Sequence, residues 1–442
     1  MSFTLRVIEK TGPLAGLIRG TNAAATGMHA SLRVLNPAWL CVLAAIPLTA
    51  LGVYTIDIAE TTRPLAGFDL ASIAWKQVVF GIIGMLAATL IALPHHRLVG
   101  LLAWPGLIAV IALLIFLLVP FAPAALVTPR NGARSWIDLG PIDLQPSELC
   151  KVAYVVVIAR YLRRRSTHRS LSGLIIPGVI TAIPVGLITL QPDLGTASLF
   201  VPSLFAMLVA AGARLRHLTL IVLCAALAAP AVYPVLKPHQ KERIVGLVKQ
   251  FQGDTSGDQG VNFQGATAQT LIGAGGLSGA SDDAARALVR YNRLPERHND
   301  TVFAVLVTRL GFLGGAAMLA LYLVWLLGAL LTAGICRDPE ARIIGVGLAG
   351  FVAAQVIVNI GMNLGLLPII GVTLPFVSYG GSSLVTTWIM TGLIMNTGLH
   401  RPRPPFHNSF EYPDADEHTA RPIRTGRPGD RTIGAGWRAA TR

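Results

Sequence analysis

Charge is what this sequence has least of. Asp, Glu, Lys and Arg together make 13% of 442 residues, against roughly 25% in a soluble domain. That is too little to cover a water-facing surface of this size, so a soluble globular protein is excluded. Cysteine is sparse too: Cys41, Cys150, Cys224 and Cys336 lie scattered in or beside apolar stretches. Such spacing gives neither a disulfide framework nor a metal cluster. No Arg-rich transit peptide or cleavable signal is evident at the start, where mixed residues precede an apolar run too long and too deep for a signal core. No repeat with a period of about 20–50 residues stands out.

Apolar residues, by contrast, make 53% of the chain, and they are grouped. A spanning helix needs about 20 predominantly apolar residues. Runs of that kind centre on 37–54, 74–94, 98–119, 147–163, 172–190, 195–212, 217–235, 301–333, 343–366 and 382–399. The expected fold is therefore an all-α integral membrane protein of about ten transmembrane helices. The net charge of +14 does not indicate nucleic acid, because the basic residues sit between apolar runs and in the tail, as topology signals do. With the N-terminus in the cytoplasm, Arg6, Lys10, Arg19, Arg33, Arg97, the Arg163-Arg164-Arg165 run, Arg214, Arg216, Arg337 and Arg342 all fall inside. The short loops around 191–194 and 367–381 then lie outside without any Lys or Arg. This positive-inside pattern puts both termini in the cytoplasm.

Three domains of sequence follow: a cytoplasmic segment 1–35, a membrane domain 36–400, and a Pro- and Arg-rich tail 401–442 that reads as disordered. A large extracytoplasmic loop, 236–300, joins the seventh and eighth spans. A loop of that length in a compact protein is functional or disordered. Its Gly273-Ala274-Gly275-Gly276 stretch and amphipathic pieces point to partial order.

Ionisable residues at membrane depth are costly and tend to be functional. Glu148 and Lys151 sit at i and i+3 near the outer start of the fourth span, on one helix face. Asp193 lies at the outer junction of spans five and six. These residue types suit an interfacial ion-pair network that fixes helix ends and suit a substrate cavity equally. Trp136, alone, reads as an aromatic-belt anchor. Asp300 closes the string Leu294-Pro295-Glu296-Arg297-His298-Asn299-Asp300, where a carboxylate entering a helix also fits an N-cap. The same loop carries Lys241, Arg243, Arg297 and other cations, which an anionic ligand such as phosphate would explain. The last outer loop, 363–383, is a Gly/Pro/Ser string containing Ser378 and Tyr379. Non-helical backbone at that depth has to be buried in protein or line a watery cavity, so a re-entrant element beside a site is expected.

Taken together these strings resemble the SEDS family of bacterial cell-wall polymerases, the RodA/FtsW/SpoVE-like rod-shape and division proteins. The matching pieces are NGARSWIDLG followed by QPSELCK (131–151), QPDLGTAS (191–198), HQKERI (239–244), GAGGLSG (273–279), LPERHND (294–300) and NLGLLPIIGVTLPFVSYGGSS (363–383). They run in family order across about 35–400. The resemblance implies a peptidoglycan glycosyltransferase of the bacterial cytoplasmic membrane, polymerising lipid II in elongation or division, with a class B penicillin-binding protein as transpeptidase partner. It implies Asp300 as the essential general base, and Glu148, Lys151, Asp193, Ser378 and Tyr379 around the cavity. Arg243, Arg297, Lys241, Trp136 and Arg134 are candidates near the substrate and its pyrophosphate. Basic residues or a divalent cation (Mg2+ or Mn2+) would stabilise that leaving group.

The sequence departs from the family at several positions. Where the family shows a Glu-Glu pair shortly after the Asp, this chain has Thr308-Arg309. Thr267-Ala268 replaces the usual Gln-Ser before the Gly-rich turn, Arg293 an aromatic, and Thr301 a Phe. Two other function classes therefore stand beside the polymerase: a transporter of lipid-linked cell-wall precursor, and a non-catalytic scaffold for a transpeptidase.

Overall fold

The computed structural model describes residues 36–60, 72–94, 96–119, 123, 126–127, 133–140, 143–163, 165, 167–235, 238–252 and 262–400. The N-terminal segment 1–35 and the tail 401–442 lie outside the described residues. The helices are α1 (Ala38–Glu60), α2 (Ser72–Ala92), α3 (His96–Leu118), α4 (Pro146–Arg163), α5 (Ile175–Leu190), α6 (Leu194–Ser198) and α7 (Phe200–Ala210). They continue with α8 (Leu215–Val232), α9 (Pro238–Phe251), α10 (Phe263–Gly275), α11 (Asp282–Tyr291), α12 (Val302–Ile335), α13 (Pro339–Asn363) and α14 (Gly381–Leu399). One short hairpin, β1 (Ile137–Asp138) with β2 (Asp143–Leu144), pairs antiparallel before α4. The fold is all-α, as expected.

Each predicted apolar run is a helix, but they are not alike. Among the described residues six are long and apolar enough to cross a membrane: α1, α2, α3, α5, α12 and α13. The sixth run is broken into α6 and α7, and the seventh has a shorter apolar stretch, Leu215–Ala228. The fourth helix carries Glu148, Lys151, Arg160 and Arg163 in its 18 residues. The segment read as one large loop holds α9, α10 and α11, so its amphipathic pieces are ordered helices.

Packing follows from the sequence at each contact. α14 lies along α2, where Gly84 and Gly392 bring the two backbones together. α12 lies along α1, with Gly328 against Leu40 and Cys41. α13 is the most buried span and runs through the middle, touching α4, α7, α12 and α14. Tyr154, Phe200 and Phe351 meet edge to face where α4, α7 and α13 cross, with centroids 5.0, 5.1 and 6.1 Å apart, a geometry that favours ring pairs beyond their area.

The Gly-rich turn after α10 is explained by contact with α12. Gly311 takes φ +70 and interrupts the helical backbone of α12. Phe312 N–H donates to the Gly276 carbonyl there, at 2.9 Å. A Cβ on Gly275 would stand 2.2 Å from the Val307 carbonyl oxygen, so only glycine fits.

The loop 364–380 is non-helical and enters the core. Val372, Leu374, Phe376 and Val377 are all buried. Phe376 adopts φ +66, a costly conformation for a bulky residue. It is held between Trp325 and Trp388, at 6.2 and 5.7 Å. The segment is buried in protein, as a non-helical backbone between two apolar helices requires.

Candidate functional site

A cavity of about 1130 Å³ opens where the hairpin, α2, α4, α6, the segment before α12 and the 364–380 loop converge. Its walls bring together residues that are far apart in sequence: Trp136, Glu148, Lys151, Asp193, Asp300 and Tyr379.

Pro146 and Ser147 open α4, and the Glu148 N–H closes the turn on the Gln145 carbonyl at 3.0 Å. Negative charge in a first turn is favourable. One turn on, Lys151 donates to Glu148 Oε1 at 2.7 Å, with side chains 1% and 5% exposed. Paired this way, the two charges are tolerated at a depth where either alone would be expensive. Asp193 caps α6 by accepting the Thr196 N–H at 2.9 Å, and it faces Gln145 Nε2 at 3.4 Å. Burial pushes its carboxyl above the ordinary value, while the Thr196 bonds and Lys151 pull the other way. The hairpin is fastened to α14 through Ser382, which accepts the Gln145 N–H at 3.0 Å and donates to the Asp143 carbonyl at 2.6 Å. That attachment sets Trp136, half-buried, into the wall.

Asp300 stands at the end of a tripeptide whose main-chain carbonyls are all engaged from the 359–379 segment. His298 C=O accepts the Tyr379 N–H at 2.8 Å, and Asn299 C=O accepts the Ser378 hydroxyl at 2.6 Å. Asp300 C=O accepts Nδ2 of both Asn359 and Asn363, each at 2.9 Å. Gly371, at φ +73, backs the carboxylate, with an added Cβ falling 3.6 Å from Asp300 Oδ2. The N-cap reading of Asp300 moves by one residue, because the cap position of α12 is Thr301.

Other expected site residues stand elsewhere. Ser378 is buried as a strut: its hydroxyl also accepts the Leu374 N–H, at 2.7 Å. Arg297 faces Glu60 at 4.0 Å, and Lys241 donates to the Pro234 carbonyl at 2.9 Å over the Tyr233 ring. Arg134 is exposed beside the hairpin. The side chain of Arg243 lies outside the described residues. None of Arg134, Lys241, Arg297 and Ser378 is among the cavity walls. Thr308 and Arg309 do not line it either. Thr308 donates to the Leu271 carbonyl at 3.0 Å, and Arg309 pairs with Asp282, which also accepts the Tyr54 hydroxyl at 3.0 Å. Sequence reasoning missed Lys76, Gln264, Glu296 and Gln355 in the walls. Lys76 lies in the first turns of α2 and is exposed to the cavity, a cation with no motif around it. Among the described residues no group of three or more His, Cys, Asp or Glu is gathered to hold a metal ion.

Known proteins match both the sequence and this architecture. Stage V sporulation protein E of Bacillus subtilis (strain 168) is 31% identical over 368 residues, which is 83% of this chain and 98% of that protein. Peptidoglycan glycosyltransferase MrdB of Escherichia coli (strain K12) is 34% identical over 274 residues, 61% of this chain and 72% of the relative. Among solved structures, a chain described under "Structural coordination of polymerization and crosslinking by a peptidoglycan synthase complex" superposes with a TM-score of 0.69 at 32% identity. That match covers 83% of this chain and 98% of the other. The family described as "Cell cycle protein" (FtsW/RodA/SpoVE) matches residues 38–402, and with nearly the whole membrane body inside that match the chain belongs to this family.

Proposed function

We propose that this chain is a multi-pass peptidoglycan glycosyltransferase of the bacterial inner membrane that polymerises lipid II, with Asp300 as its general base. The observation that carries the reading is Asp300 in the wall of one large cavity with Glu148, Lys151 and Asp193, in a chain of this family. The 4-hydroxyl of one disaccharide attacks the anomeric carbon of a second, lipid-pyrophosphate-linked glycan. A new C–O glycosidic bond forms as the bond to pyrophosphate breaks, and the hydroxyl proton passes to the Asp300 carboxylate. Pyrophosphate is already a competent leaving group, so one carboxylate suffices where glycoside hydrolysis uses two. Among the described residues Lys76 is the exposed cation in the cavity wall, and it is a candidate for the departing charge.

In the same reading the chain spans the membrane about ten times, with both termini in the cytoplasm. The cavity opens on the outer face, Ile244, Gln264, Glu296, Asn299 and Asp300 of the outer segment stand in its walls, and a class B penicillin-binding protein docks as the crosslinking partner. Purified protein given labelled lipid II should make glycan strands, and Asp300→Ala should lower the rate about 10²–10⁴-fold. Equal rates for both proteins would sink the assignment. Translocation of lipid II without polymer would favour the transporter instead.

A further inference from the structure

We infer that Asn359 and Asn363 are positioning residues for Asp300: their side-chain amides clamp its main-chain carbonyl and so set where its carboxylate stands in the cavity. The inference rests on the reading of Asp300 as the base.

The need for such a clamp follows from the start of α12. Thr301 is the cap, and its carbonyl takes the first helical N–H groups, from Ala304 and Val305. The Asp300 carbonyl is therefore outside the helical ladder, and two asparagine side chains 2% exposed or less close over it. A buried carbonyl left without a donor costs about 1–3 kcal/mol. Both of its lone pairs are taken here, one by each Nδ2 at 2.9 Å.

The accounting at the donors is equally complete. An amide nitrogen carries two hydrogens. Asn359 Nδ2 uses its second on the Val372 carbonyl at 2.6 Å, and Asn363 Nδ2 shares its second between the Asn359 carbonyl at 2.9 Å and Asn359 Oδ1 at 3.3 Å. Asn359 thereby ties the residue before α12 to the stretch beside Gly371, which backs the Asp300 carboxylate. The amide orientations are fixed by chemistry, because carbonyl oxygens surround both nitrogens. Turning Asn363 over would set its Oδ1 against the Asp300 and Asn359 carbonyls.

The clamp should act on chemistry and not on substrate affinity, since neither asparagine is among the cavity walls. The test is lipid II polymerisation by the full chain in lipid nanodiscs, with kcat and KM expressed per folded molecule after size exclusion. Asn359→Ala and Asn363→Ala should each lower kcat about 10–100-fold, as small misplacements of a reacting group do, with KM within about twofold. The double variant should fall well short of the product of the two losses, because both act on one carbonyl. In the Asp300→Ala background, adding Asn359→Ala should leave the residual rate unchanged. If the alanine variants fail to fold, Asn363→Ser is used: its shorter side chain cannot span both carbonyls, and kcat should fall about tenfold. Wild-type kcat in the folded variants, with Asp300→Ala inactive, overturns the clamp alone. An Asp300→Ala protein as active as wild type overturns the base, and the clamp with it.

Discussion

At its first turn α4 holds Glu148 and Lys151 at 2.7 Å, both almost wholly buried in the cavity wall. At its last turn it holds Arg163 against Glu340 at 2.6 Å and Asp338 at 3.8 Å, and Arg160 against Glu340 at 3.8 Å. There the arginine side chains are 28% and 41% exposed. Between the two lies the packed ring cluster of Tyr154, Phe200 and Phe351. Both ion pairs obey the helix dipole, acid at the start and base at the end, so sequence position alone would rank them together. What separates them is water. A pair removed from water is there at a desolvation cost that hydrophobic residues of like volume would avoid. A half-exposed pair at a helix end needs only to hold α4 to the start of α13. The first arrangement makes sense if something polar enters the cavity; the second makes sense without a ligand.

The largest effect is expected at Lys151. Lys151→Met leaves Glu148 buried without its partner, and stability should drop about 3–5 kcal/mol. Polymerisation should fall about 10²-fold or more, on the scale of losing a preorganised electrostatic group. Adding Glu148→Gln removes the orphaned charge. Thermal unfolding of the double variant should then recover most of the lost stability, while the polymerisation assay stays low. Recovery of both would mean that the buried pair is structural, like its counterpart at the other end of the helix.

How much of this could be read beforehand varies by residue. The spacing of Glu148 and Lys151 was legible because i and i+3 share a helix face whatever the fold. Asp193 was legible from a Pro-Asp-Leu-Gly junction between apolar runs. The clamp was not. Asn359 and Asn363 sit in an apolar run, and their partner is 59 and 63 residues away, a pairing that no local period encodes. The cations of 236–300 were legible as charges and not as directions. Arg297 turns toward Glu60, Lys241 folds back on its own chain, and the cavity takes Lys76 from a helix whose sequence reads only as a span. Thr308-Arg309 was visible as a departure from the family, yet its consequence is structural: Arg309 reaches Asp282 and the Ala280 carbonyl, which fastens α11 to α12.

A smaller effect is expected at the far end of α4. Glu340→Ala removes the shared partner of Arg160 and Arg163, but both guanidiniums still reach water. The loss should be about 1 kcal/mol, read as a modest drop in the unfolding midpoint. Polymerisation per folded molecule should stay within about twofold of wild type, since a change this far from the reacting groups removes no transition-state contact. A loss of activity as deep as that of Lys151→Met would show that the two ends of α4 are coupled, and the comparison would collapse.

The smallest effect is expected for Arg163→Ala, measured as a function of salt. Arg163 is the most exposed member of the network, and such pairs contribute roughly 0–1 kcal/mol. Screening shortens from about 10 Å at 0.1 M salt to about 3 Å at 1 M. The small stability difference between Arg163→Ala and wild type should therefore disappear at high salt. The deficit of Lys151→Met should not, because mobile ions do not enter a buried pair. If both deficits shrink in parallel as salt is raised, Glu148 and Lys151 are reached by solvent ions, and the cavity is an open vestibule at that depth. If only the Arg163 difference shrinks, the wall around Lys151 is closed to mobile ions, and the buried pair differs from its counterpart at the other end of α4 in exposure to water.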